Sequence, residues 1–371
     1  MSFRTIIAVS LSLLMTCGIP SFGQGRRTKQ RVQIHHSIRE QNIRAELGFL
    51  ASDAMQGRGS GTPFERIAAE YIGSQFRQFG LEPAGDTDST GRRGFVQHVP
   101  LSSAKFTEPP TLSVTVAFDV VASMPASSKV EFGGPTQNTE SSTWNAVGVL
   151  RGSDPKAAKK VIMLSAHLDH LGVSENTPAG GDAIFNGADD DASGCVAVLE
   201  LARVLASGKR PKRTIYFICF GSEERGGYGA QYFVAHSPVP LSDIVADITF
   251  EMLGRPDSKV PPNTLWLTGY ERSNLGLALA KHGALLVADP HPEEQFFQRS
   301  DNYTLALRGV VAHTVSSFGL HADYHRPSDE ISKIDFPFMT RSINSLLQPI
   351  RWLANYPFKP AWLPGQAPTQ G

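Results

Sequence analysis

Cysteine is scarce in this chain: 3 residues in 371. That excludes a disulfide framework and leaves the fold to its hydrophobic core. Neither sign of charge is in excess, with Lys+Arg and Asp+Glu at 35 each. No broad field therefore favours nucleic acid or acidic lipid. The chain also lacks a Gly-x-Ser-x-Gly elbow, a phosphate-binding loop and a His-Glu-x-x-His helix, which removes serine-hydrolase, nucleotide and single-helix zinc-protease signatures. Apolar residues make up 41%, enough for a sizeable core in one large or two smaller α/β domains and too few for a membrane protein.

The N-terminus reads as an export signal over residues 1–23. Arg4 gives the basic start, residues 6–15 the apolar core, and Ser21-Phe22-Gly23 a small-residue cleavage site. That core is too short to span a bilayer. Cys17 invites lipidation, but Met15 and Thr16 before it fit such a site poorly. Of the remaining cysteines, Cys219 lies in an apolar strand and Cys195 at the start of an apolar helix. Both are expected to be buried small hydrophobes rather than a disulfide.

Residues 24–40 are basic and polar, a flexible leader. Thr62-Pro63-Phe64-Glu65 is a capping box with Pro at the first helical position. The helix it opens is expected to bury Phe64, Ile67, Ala68, Tyr71, Ile72, Phe76 and Phe79 and to end at Gly80. Residues 85–144 turn to Gly, Ser, Thr and Pro, with β-like runs such as 112–121, and read as a small peripheral β-rich excursion within a domain of residues 41–355. From 145 onward strand and helix signals alternate: strands at 145–150, 161–166, 214–220, 244–250, 264–268 and 309–315, helices at 195–206 and 273–283. The tail, 356–371, is Pro-rich and irregular.

Chemistry-bearing residues fall just after apolar runs, where open α/β sheets collect their ligands. His167-Leu168-Asp169 follows the 161–166 run, and Asp169 is placed to orient a zinc-bound imidazole. Alone, His167 is equally a strand-end residue capping a turn. Asp189-Asp190-Asp191 opens the next helix; three adjacent carboxylates repel one another without a cation. A calcium loop or a generously capped helix is the rival reading, and Asp190 is the candidate to bridge two ions. Glu223-Glu224 follows the strongest strand, so one carboxylate can ligate and the other take a proton from water. Glu251 follows a third strand, where a charge without a partner is expensive. His325 completes the imidazoles; His321 and His313 compete with it, though His313 sits in an apolar run. The set holds one His and one carboxylate for each of two ions plus one shared carboxylate, a borderline-soft N/O set suited to zinc.

In order and wording these motifs resemble the secreted dizinc exopeptidases related to bacterial leucyl aminopeptidase and glutamate carboxypeptidase. The resemblance covers roughly residues 42–350, including Leu47-Gly-Phe-Leu-Ala-Ser-Asp53 and Gly57-Arg58, similar to an N-terminal motif of bacterial members. It implies a three-layer α/β/α sandwich with a mixed, mostly parallel central sheet. It also implies two zinc ions per chain, peptide substrates, and neither a nucleic-acid partner nor a membrane span; it says nothing of oligomeric state. By position, His167 and Glu251 would hold one ion, Glu224 and His325 the other, and Asp190 both. Glu223 would be the general base, Asp169 the orienting carboxylate and Tyr324 an oxyanion donor. Two departures stand out. Position 251 is Glu where many members have Asp, and Ser300-Asp301-Asn302 stands where Ser-Asp-His is frequent. The protease-associated domain of many relatives is missing.

An aminopeptidase is the leading expectation. A carboxypeptidase or dipeptidase would need arginines for the substrate carboxylate, for which Arg299, Arg308 and Arg326 lie near the motifs. A glutaminyl cyclase needs one zinc only, and a non-catalytic binding module is expected to have lost ligands or the base.

Overall fold

The computed structural model describes residues 37–101, 142–177 and 180–369. The export segment, most of the polar leader, Cys17 and the 112–121 run lie outside the described residues. In chain order the described helices and strands are α1 (Glu40–Leu50), α2 (Pro63–Gln78), β1 (Glu82–Pro83), β2 (Val96–Pro100), β3 (Ser142–Leu150), β4 (Val161–His167), β5 (Gly172–Val173) and β6 (Ile184–Phe185). They continue as α3 (Gly194–Ala206), β7 (Thr214–Phe220), α4 (Tyr228–Ala235), β8 (Ile244–Glu251), β9 (Leu265–Leu267), α5 (Leu275–Lys281), β10 (Leu286–Ala288), α6 (Asn302–Ala306), β11 (Ala312–Ser316) and α7 (Phe336–Asn355).

Nine strands form one sheet in the order β1-β3-β7-β4-β8-β11-β9-β10, with β2 also on β3. Its centre is parallel: β4 pairs with β7 and β8, and β8 with β11. β3 joins β7 antiparallel, and β11 joins β9 antiparallel. The sheet is thus mixed and mostly parallel at its core, as anticipated. Side-chain alternation divides it into two packed faces. On β7, Ile215, Phe217 and Cys219 join one core with α1, α2, α3, α5 and α7. Tyr216, Ile218 and Phe220 join the other with α4 and α6. Three layers result.

Most elements lie within a few residues of their expected positions; β3 begins three residues before 145, and α7 was not anticipated. The α2 stripe differs in phase. Thr62 Oγ1 accepts from Glu65 N at 3.4 Å, but Ile67 is 45% exposed, and Phe64, Tyr71 and Phe79 are half-buried. Ala68, Ile72 and Phe76 are buried as expected, and Glu65 and Ala69 complete the buried line. Glu65 sets this phase. Its carboxylate turns inward to accept from Gly61 N (2.6 Å), Thr143 Oγ1 (2.5 Å) and Ser222 N (3.0 Å). Cys195 and Cys219 are buried free thiols. Among the described residues no helix is long and apolar enough to cross a membrane.

Register fixes the site. His167 is level with Phe220 at the ends of β4 and β7, and Ser316 with Glu251 at the ends of β11 and β8. From β4 the chain goes first to β7 on one side and then to β8 on the other. The carboxyl ends of these strands at such a switch point make a crevice.

Candidate metal centre

His167, Asp190 and Glu224 converge there, each offering a ligand atom within 4.8 Å of the others. Nε2 of His167 is 3.2 Å from Asp190 Oδ1, and Nε2 of His325 is 3.2 Å from both Asp190 Oδ2 and Glu224 Oε2. Glu223 and Glu251 line the same cleft, with Tyr324, whose ring stacks on His325 at 3.9 Å. The other two carboxylates of the triplet are turned away. Asp191 accepts from Gly194 N, Met252 N and His167 N. Asp189 accepts from Gly254 N at 2.7 Å and faces His321 Nε2 at 3.1 Å. Backbone N–H groups therefore occupy both carboxylates, and Arg255 Nε lies 3.6 Å from Asp189 Oδ2.

His321 is thereby committed to Asp189. His313 is a buried core residue between Ser273 Oγ and the Thr268 carbonyl, both 2.7 Å away. Asp169 differs from its expected contact. Its carbonyl lies nearer His167 Nδ1 (3.2 Å) than its carboxylate does (3.8 Å). The carboxylate is occupied by Ser60 Oγ (2.5 Å), Glu223 N (2.9 Å) and Glu224 N (3.3 Å). Asp169 thus holds the Glu223-Glu224 turn as well as the imidazole.

His170 escaped the sequence reading. Its Nδ1 lies 2.7 Å from Glu224 Oε1 and its Nε2 is buried with no hydrogen-bond partner. An imidazole next to His167-x-Asp169 was the available signal. Gly187 lets this ring approach. A Cβ there would collide with the Asp190 carbonyl and the His170 ring, and its φ is +57°. Four non-glycine residues with positive φ stand at the same loops: Arg58, Ser222 before Glu223, Met252 after Glu251, and His325 itself. Each such conformation costs on the order of 1–3 kcal/mol, and they gather where loops must aim side chains.

Electrostatics separate the paired glutamates. Burial raises the Glu223 carboxyl well above its ordinary range; His167 opposes this, and Glu251, Glu224 and Asp301 add to it. Burial acts in the same sense on Glu224, but His325 and His170 hold it down at about 2. Glu251 is raised, first by burial. The donor set fits a cation. Nε2 of His167 and Oδ2 of Asp190 are buried with no hydrogen-bond partner in a nest of carboxylates and imidazoles, and such groups are costly unless a ligand engages them.

A family model for peptidase family M28 matches residues 145–348, over half of the chain. The chain belongs to peptidase family M28. This M28 chain is 27% identical over 209 residues to a probable zinc metalloprotease of Pyrenophora teres f. teres, covering 48% of this chain and 42% of that one. It is 31% identical over 134 residues to carboxypeptidase Q of Xenopus laevis, covering 34% and 26%. It therefore spans under half the length of these curated relatives. Its fold is similar to that of BSAP, a zinc aminopeptidase from Bacillus subtilis, with a TM-score of 0.60 at 18% identity over 88% of this chain and 98% of that one. The resemblance drawn from the motifs to zinc-dependent exopeptidases holds at the level of family and fold.

Proposed function

We propose that this M28 chain is an exported, periplasmic or extracellular, metallo-aminopeptidase that removes N-terminal residues from peptides. One observation carries the reading. Two adjacent carboxylates divide at the cleft, Glu224 engaged by His170 and His325 and Glu223 left facing the space beside them. That is the division of labour between a ligand and a base. His167, Asp190, Glu251, Glu224 and His325 would hold two zinc ions. When bound, the ions would polarise the scissile carbonyl and acidify a water.

Glu223 accepts the proton of the attacking water and returns it to the leaving amine. Burial raises its carboxyl well above the ordinary carboxylate range, the direction that suits a group that takes and returns a proton. The Tyr324 hydroxyl lines the cleft and donates to the oxyanion. Asp169, through Glu223 N and Glu224 N, keeps the two glutamates in place. Export rests on Arg4, the 6–15 apolar run and Ser21-Phe22-Gly23.

A peptide beginning Gln-Leu, incubated with the zinc-loaded protein and read by mass spectrometry, tests this. Sequential loss of N-terminal residues, abolished by chelator, is expected. Loss of ammonia alone means a cyclase, trimming from the other end a carboxypeptidase, and an untouched peptide removes the aminopeptidase reading.

A further inference from the structure

Besides its carboxylates, the cleft is lined by an aromatic wall and one guanidinium. Trp266 stacks on Phe296 with centroids 5.4 Å apart, Phe296 meets Phe318 at 5.8 Å, and Phe318 meets Tyr324 at 5.0 Å. Behind them the buried His291 packs on Trp266 and Phe296, held 2.8 Å from Asp257. The wall is therefore rigid. Arg299 lies over it, its Cζ 4.8 Å from the centroid of the Phe296 ring. It is the one Lys or Arg side chain among the residues lining the cleft.

Arg299 is 17% exposed, and its two polar contacts are long. Nη1 stands 3.4 Å from Glu294 Oε2 and Nη2 stands 3.4 Å from the Tyr324 hydroxyl. A guanidinium carries five donors in a planar fork that matches a carboxylate. This one has given up most of its water for an aromatic face and two weak contacts. It lines the cleft together with Glu251 and Tyr324.

We infer that Arg299 and the wall of Trp266, Phe296 and Phe318 form a subsite for an apolar group that bears a carboxylate, and so select substrates carrying that charge. This rests on the exopeptidase reading above. Two sources offer the same chemistry: the side chain of an acidic N-terminal residue, or the terminal carboxylate of a short peptide. The apolar stem lies on the aromatic faces while the carboxylate pairs with the fork.

The zinc-loaded protein is assayed with two matched pairs: the p-nitroanilides of Glu and Gln, and Leu-Leu against its C-terminal amide. One charged-to-neutral ratio of kcat/KM is expected to exceed about tenfold, the scale of a hydrogen bond to a charged group. Arg299→Gln should collapse that ratio through KM, with Arg299→Lys in between. A shift in the Glu/Gln ratio assigns the carboxylate to the side chain, and a shift in the acid/amide ratio assigns it to the peptide terminus. Ratios near one, or ratios that Arg299→Gln does not move, overturn the subsite, while chelator-sensitive hydrolysis of Leu p-nitroanilide still upholds the exopeptidase. A binding measurement stands apart from turnover. Tryptophan fluorescence should report 4-methylpentanoate binding about tenfold more tightly than 4-methylpentanamide, a preference lost in Arg299→Gln. Equal binding of acid and amide, or a preference that survives the substitution, overturns the inference.

Discussion

Nε of Arg58 donates to the carbonyl of Leu168 at 2.9 Å, one residue beyond His167. The same guanidinium, buried at 1% exposure, donates to the carbonyls of Leu50 (2.6 Å), Asn186 (2.7 Å) and Gly187 (2.9 Å). One side chain thus ties the end of α1 to the two loops that present His167 and Asp190. Ser60, two residues on, holds the Asp169 carboxylate, and Glu65 accepts from Ser222 N beside Glu223.

Arg58→Lys keeps a charge but cannot reach four carbonyls in one plane. We expect it to weaken zinc binding by about 10–100-fold, the range for residues that support metal ligands. Competition with a chromogenic chelator measures this. A control, Leu47→Ala on the buried face of α1, should lower Tm without a comparable loss of zinc affinity. Equal zinc affinity in both variants at matched Tm would reduce Arg58 to a structural residue.

The strand ends that carry chemistry were legible because buried parallel strands write themselves as unbroken apolar runs. The run at 215–220 is of this kind, and the runs into His167 and Glu251 come close to it, broken by Ser165 in one and by Asp247 and Thr249 in the other. Side-chain direction was not legible. Asp189, Asp190 and Asp191 look equivalent in sequence, and only the backbone decides that Gly254 N and Met252 N take the outer two. His170 was hidden for a related reason: nothing in a sequence says that the chain folds back so that this ring meets Glu224. The helix α7 was hidden by Pro337 and Pro349, which normally punctuate. Here Pro337 lies in the first turn, and Asp335 caps Phe338 N at 2.9 Å. The α2 stripe was misphased because Glu65, a charged residue, is fully buried by partners far away in sequence.

Removing the metal should be felt as lost stability. Apo protein keeps His167, His170 and Asp190 buried with unpartnered atoms. Restoring zinc to about a thousand times its Kd adds about 4 kcal/mol by mass action. Differential scanning calorimetry of chelated protein with added zinc should show Tm climbing, in two steps if two ions bind. A Tm indifferent to zinc would mean that the cluster is not a metal site.

Glu223→Gln and Glu224→Gln should part company. A base removed from a proton transfer costs roughly 10²–10⁴ in kcat, so Glu223→Gln is expected to lose turnover and keep its zinc. Glu224→Gln should lose zinc affinity first, because its carboxylate is the one between His170 and His325. Turnover with zinc titrated to saturation separates the two. Recovery of Glu223→Gln by excess zinc would make Glu223 a ligand and leave the reaction without its base.

Asp247 and His313 lie one register position apart on the paired strands β8 and β11, on opposite faces of the sheet, and should set opposing pH dependences. Burial raises the Asp247 carboxyl to about 7 despite hydrogen bonds from Ser165 and Thr249. Native Asp247 therefore holds a proton that the unfolded chain has released. Its contribution is whole below pH 3.8 and is lost as pH rises through 7. Burial lowers His313 to about 4. There the unfolded chain takes a proton that the native state refuses, so this contribution is whole above pH 6.5 and is lost as pH falls through 4. Between the two limits each proton is worth about 1.4 kcal/mol per pH unit, with opposite signs that nearly cancel. Asp247→Asn should therefore gain stability with rising pH relative to the parent, and His313→Gln should lose it. Urea midpoints at pH 4.5, 5.5 and 6.5 on chelated protein give both slopes. Variants that run parallel to the parent would mean that neither buried group keeps its native protonation state across this range.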